Sequence, residues 1–307
     1  MNKHINENED HMNFKVMFDL IWLKRVQVVL ITLMFSLFFI FYSLSIENTY
    51  ISGSVLKVNS ENRSSLSEYA GLASMAGIEL GGGRGEKNSI EDIEAVLTSK
   101  GFVKHLIQFE DVMLNIMAAK SFDVMNQQLI YDEKKYNTEL KEWVRDIDFP
   151  FKPKPSALEV HEDYLDKIVS IRLEEKAQFV YLSVEHVSPI FAKEFLELII
   201  EELNMIMRQR DLEESSNALK YLKDQISETP QIEIRNTINE MVRTQLQTQM
   251  TAKINKDYVL TALDPPYLPL EKSNPKRSLI VIIGTILGFF SSLAWVTFYN
   301  FLYRKEA

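Results

Sequence analysis

Apolar residues are concentrated in two stretches, Val26 to Ile46 and Ser278 to Tyr303, where no Asp, Glu, Lys or Arg occurs. Each is long enough to cross a bilayer as a helix, which takes about 20 apolar residues. The first, VQVVLITLMFSLFFIFYSLSI, exceeds the roughly 7 to 15 apolar residues of a cleaved signal and lacks a small-x-small site after it, so it reads as an anchor. Just before it Phe14, Met17, Phe18, Ile21 and Trp22 recur at helical spacing, which predicts an interfacial helix with Trp22 at headgroup level.

Between the two runs the pattern changes to that of a folded domain. Tyr50 to Asn59 is rich in β-formers and predicts a strand. Ser64 to Ala76 is weakly helical and leads into GIELGGGRG, Gly77 to Gly85. Ser89, as an N-cap with Asp92 behind it, opens a helical stripe through Ile93, Val96, Leu97, Phe102 and Leu106, and short helices are expected up to about Val144. Pro150, Pro153 and Pro155 break the chain, and Ser156 with Glu159 forms a capping box for a helix through Asp166. Ile168–Leu173 and Phe179–His186 predict a hairpin whose buried face includes Ile168, Val180, Leu182 and Val184. Tyr258–Leu263 is the last strand expected.

The longest helical tract starts at Ser188-Pro189, a cap followed by a first-turn proline, and runs to about Glu228. Forty residues at 1.5 Å each make a helix of about 60 Å. After Thr229-Pro230 a second helix, about 232–256, returns. The long helix is apolar at Phe191, Phe195, Leu198, Ile199, Leu203 and Ile206, polar over Arg208–Asn217, and apolar again at Leu219, Leu222 and Ile226. Leu203 and Ile206 are therefore candidates for contacts of a partly uncovered arm with neighbouring subunits. The expected fold class is α+β: two transmembrane helices bracketing a domain with a small mixed sheet base and a long protruding helical arm.

Charge sets the expected orientation. Lys3, Lys15, Lys24 and Arg25 precede the first span and Arg304 and Lys305 follow the second, so both ends are expected in the cytoplasm. The organisation that follows is a cytoplasmic segment 1–25, a span 26–46, a periplasmic domain 47–277, a span 278–303 and a cytoplasmic tail 304–307. The central segment carries 28 Lys/Arg against 38 Asp/Glu, an acidic balance that does not recommend nucleic acid as a partner. The chain has no Cys, which removes disulfides, thiolate metal sites and thiol nucleophiles.

The search for catalytic chemistry is negative. His4, His11, His105, His161 and His186 lack metal-ligand spacing, and no Gly-x-Ser-x-Gly, Walker or dinucleotide motif occurs. Gly83-Arg84-Gly85 is followed by Glu86, not by the Lys-Ser/Thr of a phosphate loop. Glu201-Glu202 and Glu213-Glu214 read as solvated helix faces. No catalytic, cofactor-binding or metal-binding residue is assigned, and no cofactor is expected.

The positive signal is DPPYLPLEKSNPKRSLIVIIGTILG, residues 264–288, a proline-spaced extended segment that enters a glycine-containing apolar run. It resembles the signature of the chain-length determinant family, the Wzz-type polysaccharide co-polymerases. Pro265 or Pro266, Pro269, Ser273, Pro275 and Lys276 fall on the family pattern, as do Gly284 and Gly288. The resemblance extends to FDLIWLKR (18–25), GLASMAGI (71–78), SVEHVSPIFAKEFLELIIEELNMIMRQRD (183–211) and YLKDQ (221–225). It implies an inner-membrane regulator, not an enzyme, that acts with a membrane polysaccharide polymerase. Its role would be to set the modal length of a lipid-linked glycan, lipopolysaccharide O-antigen first. The alternative is a co-polymerase for capsule, exopolysaccharide or common-antigen assembly and export.

The same resemblance implies a homo-oligomer, with the lipid-linked glycan and membrane lipid as further partners. Some relatives carry a cytoplasmic tyrosine-kinase domain. With four residues after Tyr303, this chain is expected to be of the kinase-free type, and a periplasmic sensor with a cytoplasmic output module is disfavoured for the same reason. Pro265, Pro266, Pro269, Pro275, Lys276, Gly284 and Gly288 are the candidate contacts with the polymerase or with a sister subunit. The charge pattern makes topology testable: an alkaline phosphatase fusion after Lys100 should be active and one at the C-terminus inactive, and the reverse result would overturn the compartment.

Overall fold

The computed structural model describes residues 22–59, 90–228 and 231–303. The helix expected through Phe14 and Ile21, the glycine cluster, the Ser89 cap, the Thr229-Pro230 break and the cations Arg304 and Lys305 lie outside the described residues. In chain order come helix α1 (Arg25–Ser45), strand β1 (Tyr50–Val58), and helices α2 (Ile90–Leu97), α3 (Lys100–Leu106) and α4 (Val112–Ala118). Strands β2 (Ala119–Asp123), β3 (Gln128–Tyr131), β4 (Tyr136–Asn137) and β5 (Glu142–Trp143) follow, then helix α5 (Ala157–Asp163). Strands β6 (Val169–Glu174) and β7 (Phe179–His186), helices α6 (Pro189–Glu228) and α7 (Ile232–Ile254), strand β8 (Leu260–Asp264) and helix α8 (Arg277–Tyr303) complete the order. Two units result, residues 1–48 with 273–307, and residues 49–272.

Among the described residues two helices, α1 and α8, are long and apolar enough to cross a membrane. They belong to the first unit and pack on each other. Near the start of α1 the Arg25 guanidinium lies over the Trp22 ring, 5.5 Å from its centroid.

The second unit is built on a four-stranded sheet of order β6-β7-β1-β8. Every pairing in it is antiparallel, so the sheet is not the mixed one expected. Strand β1 runs beside β7 from Tyr50↔His186 to Lys57↔Phe179, and β6 closes a hairpin with β7 from Val169↔Val184 to Glu174↔Phe179. Alternation does the sorting: Val180, Leu182 and Val184 of β7 and Leu56 and Val58 of β1 are buried, and Ile168 is buried just ahead of β6.

One expectation fails in the middle of the chain. Residues 119–143, read as short helices, form the hairpins β2-β3 and β4-β5. Their turns are held by side chains: Asp123 Oδ1 accepts from the amides of Met125 and Asn126, and Asn137 Oδ1 from those of Glu139 and Leu140. The helix opened by Ser156 has its full capping box and passes Asp166 as expected, α-helical to Asp163 and π-helical beyond it. A π-helical turn, Tyr164–Ile168, then leads into β6.

Helix α6 organises the unit. Ser188 Oγ accepts from the Phe191 amide, which starts the helix where the sequence placed it. Its buried line runs Phe191, Phe195, Ile199, Leu203, Met207, Asp211, Ser215 and Leu219, every fourth residue. At about 100° per residue, each four-residue step moves that line about 40° round the helix, so over the whole run it nearly circles it. The first half therefore packs on the sheet, where each large side chain contributes about 1.5–3 kcal/mol. The second half packs on α7, with Leu222 against Ile238 and Met241.

Polar side chains are buried where α6 meets the edge of the sheet. Asn204 Oδ1 accepts from the amides of Val259 and Leu260 at 2.8 and 2.9 Å, and its Nδ2 donates to the Leu260 carbonyl at 3.0 Å. One turn pair further on, Tyr258 Oη donates to Asp211 Oδ2 at 2.7 Å.

His186, at the end of β7, is 5 % exposed and 4.5 Å from the Phe191 ring. Its Nδ1 accepts from the Ser188 amide at 3.1 Å, so the neutral ring carries its proton on Nε2, which donates to the Asn115 carbonyl at 3.0 Å. Burial pushes its pKa down to about 4. Because the folded value lies below the unfolded one near 6.5, the unfolded chain takes up the proton first as pH falls. Stability present above about pH 6.5 should drop by about 3 kcal/mol on going to pH 4. Denaturant midpoints of the full chain in mild detergent should show this loss, and His186→Gln should flatten it; equal slopes in the two proteins would disprove the assignment.

Candidate functional site

The three histidines among the described residues, His105, His161 and His186, are bonded to fixed structural partners. His105 Nε2 lies 2.6 Å from Glu202 Oε2, and His161 Nε2 lies 2.8 Å from the Thr98 carbonyl oxygen. Glu202, expected on a solvated face, is buried and joins α6 to α3, while Glu201, Glu213 and Glu214 are exposed. Among the described residues no group of three or more His, Cys, Asp or Glu side chains is placed to hold a metal ion.

The segment with the family-like signature is an ordered strap along β1. Strand β8 pairs with β1 as far as Val55↔Asp264, after a shift of register next to Leu56. The ladder stops there because Pro265 and Pro266 have no amide proton to donate. Two serines of β1 replace it: Ser54 Oγ donates to the Asp264 carbonyl at 2.6 Å and Ser52 Oγ to the Tyr267 carbonyl at 2.7 Å. Both serines occupy buried alternate positions of the strand, and the Tyr267 ring lies beside Gly53 between them. Pro269 is buried, Pro266 half-buried and Pro265 exposed. The serines were not singled out in the sequence; the signal was two hydroxyls at i and i+2 in an otherwise β-branched and aliphatic strand.

In the first unit, Pro275 and Lys276 precede α8, and the Lys276 carbonyl accepts from the amides of Leu279 and Ile280. Arg277 Nη2 donates to Asn48 Oδ1 at 3.1 Å, tying the start of α8 to the residues after α1. Gly284 and Gly288, the face expected to receive a sister subunit or the polymerase, are occupied by α1 of the same chain. A Cβ on Gly284 would run into the Phe39 ring, and one on Gly288 would fall 2.5 Å from Phe35 Cβ. Both glycines are buried because two phenylalanines fill the groove that their missing side chains leave. Thr285 Oγ1, between them, is 3.2 Å from Ser36 Oγ.

The arm candidates are also covered. Leu203 is fully buried in the core of the second unit and Ile206 packs against that core half-buried, since the winding line of α6 turns this part of the helix to the sheet. Besides Tyr221 on α6 and Ile232 at the start of α7, the large apolar side chains that the two long helices leave open among the described residues are Leu246, Met250 and Ile254 of α7, on one face at i, i+4 and i+8.

No family model matches the sequence, and no curated protein matches it. Two of the solved structures similar to the chain are the following. One is a full-length bacterial polysaccharide co-polymerase, 11 % identical, covering 97 % of this chain and 100 % of its own, with a TM-score of 0.40. The other is a fragment of WzzB, a polysaccharide co-polymerase from Salmonella Typhimurium, 13 % identical, covering 74 % of this chain and 100 % of its own, with a TM-score of 0.25. Likeness at these levels carries no functional argument.

The helix pair gives a direct test of the glycine groove. In the cysteine-free chain, Ser36→Cys with Thr285→Cys should oxidise to a crosslink within one chain, seen as a mobility shift on a gel. Adding Gly284→Leu and Gly288→Leu should abolish the crosslink while membrane levels hold, because Leu keeps the helix apolar but removes the room for Phe35 and Phe39. An undiminished crosslink would show that the glycines are not needed for this packing.

Proposed function

We propose that the protein is a non-catalytic regulator of the modal chain length of a lipid-linked polysaccharide, acting with a membrane polymerase. Lipopolysaccharide O-antigen is the glycan proposed. The observation that carries this reading is the 264–288 segment, whose residues resemble the co-polymerase signature. Two apolar helices near the chain ends, a sheet between them and a 40-residue helix accord with it. In this reading α1 and α8 are inner-membrane spans, residues 47–277 lie in the periplasm and both termini are cytoplasmic. The working form is a homo-oligomer.

Several of the contact candidates change under this proposal. With the glycine groove filled by α1 and Leu203 and Pro269 buried, contacts with the polymerase are assigned to the strap at Pro265 and Pro266 and to Pro275 and Lys276. Contacts between copies are assigned to the open face of α7.

A deletion strain tests the function. Its lipopolysaccharide, resolved on a gel, should still contain polymer but with a broad, unregulated distribution in place of a modal cluster. An unchanged lipopolysaccharide ladder with an altered capsule or exopolysaccharide length would move the protein to that glycan. Complete loss of every surface glycan would mark it as a synthase or exporter and overturn the proposal.

A further inference from the structure

The strap presents an apolar surface that nothing in its own unit covers. Leu270 is 92 % exposed, and Tyr267, Leu268 and Leu263 are about half exposed. These side chains are not on a loose loop: the Ser52 and Ser54 hydroxyls hold the backbone at both ends of 264–267, and buried Pro269 anchors it between Leu268 and Leu270. A rigid segment holding large apolar groups outward has a permanent incentive to bury them.

Covalent geometry limits what can cover them. From Leu270 to Arg277, the first residue of α8, there are seven residue steps of at most about 3.6 Å, a reach of about 25 Å. In this stretch Tyr267, Leu268 and Leu270 are followed by Glu271 and by three cations, Lys272, Lys276 and Arg277, a net positive balance beside apolar groups as in a headgroup-level anchor. Such anchors place an aromatic and aliphatic body in the acyl boundary and cations among the phosphates.

We propose that Tyr267, Leu268 and Leu270 insert into the headgroup–acyl boundary of the bilayer that α8 enters, so that the strap is a lipid contact. The inference rests on the reading that α8 spans the membrane. Its consequence is mechanical: the strap would be pinned to β1 by the two serines and to lipid by its apolar side chains.

Single cysteines in the otherwise cysteine-free chain provide the test. Leu268→Cys, Leu270→Cys, Lys220→Cys on an exposed position of α6 and Phe290→Cys on α8 would each carry a nitroxide. The full chain would be placed in phosphatidylethanolamine and phosphatidylglycerol vesicles. Accessibility to oxygen against a water-soluble nickel chelate reports the surroundings of each label. Positions 268 and 270 should favour oxygen several-fold more than position 220, with 290 the most oxygen-accessible. Label 270 as open to nickel as label 220, or shielded from both reagents by a protein neighbour, would overturn the lipid contact. Label 290 separates the two readings: in the bilayer with 270 in water, the inference alone fails, whereas 290 in water defeats the spanning reading as well.

Discussion

The buried amide of Asn204 is the interaction on which the second unit turns. Strand β8 lies at the edge of the sheet and its first residues face a helix, where the amides of Val259 and Leu260 and the Leu260 carbonyl would otherwise be buried without partners. A single carboxamide satisfies all three with both its acceptor and its donor. Buried backbone groups left unpaired cost about 1–3 kcal/mol each, so this side chain determines where α6 can sit against β8. The Tyr258 to Asp211 bond, seven residues along α6, repeats the connection and fixes the direction as well as the position of the helix. An aliphatic residue at 204 would pack as well and bond nothing.

That fixed helix accounts for the long hairpin beyond it. Because one line of buried residues on α6 recurs every four positions, its covered side winds from the sheet to α7, and one element links the two packing regions. Glu202 with His105 and His186 with Asn115 add bonds between elements that are far apart in sequence. Histidines that looked like unplaced chemistry thus hold the core together through bonds to a carboxylate and a backbone carbonyl.

The strap shows how one residue type can both end an element and position the next. Prolines 265 and 266 stop the β ladder by withholding donors, yet the carbonyls on that side still need partners, and Ser52 and Ser54 supply them. The result is an extended segment fixed without main-chain pairing, with its side chains free to face outward. In the other unit the glycines of α8 act in the opposite sense, accepting bulk instead of displaying it.

Patterns with a short period were legible in the residues themselves. The two charge-free runs, the β6-β7 alternation, the Ser156–Glu159 box and the Ser188-Pro189 start depend on neighbours within a few positions, and the structure has all of them. The hairpins at 119–143 were not legible, because their strands are two to five residues long. Their turns also close through Gln127 and Lys141 in the left-handed conformation, where a glycine or asparagine would have signalled a turn. Tertiary structure alone decided the antiparallel order of the sheet, the burial of Glu202 and Leu203, and the seating of Phe35 and Phe39 on Gly284 and Gly288. Each of these depends on which distant segment arrives at a given face, and local periodicity tells only that a face exists, not what will cover it.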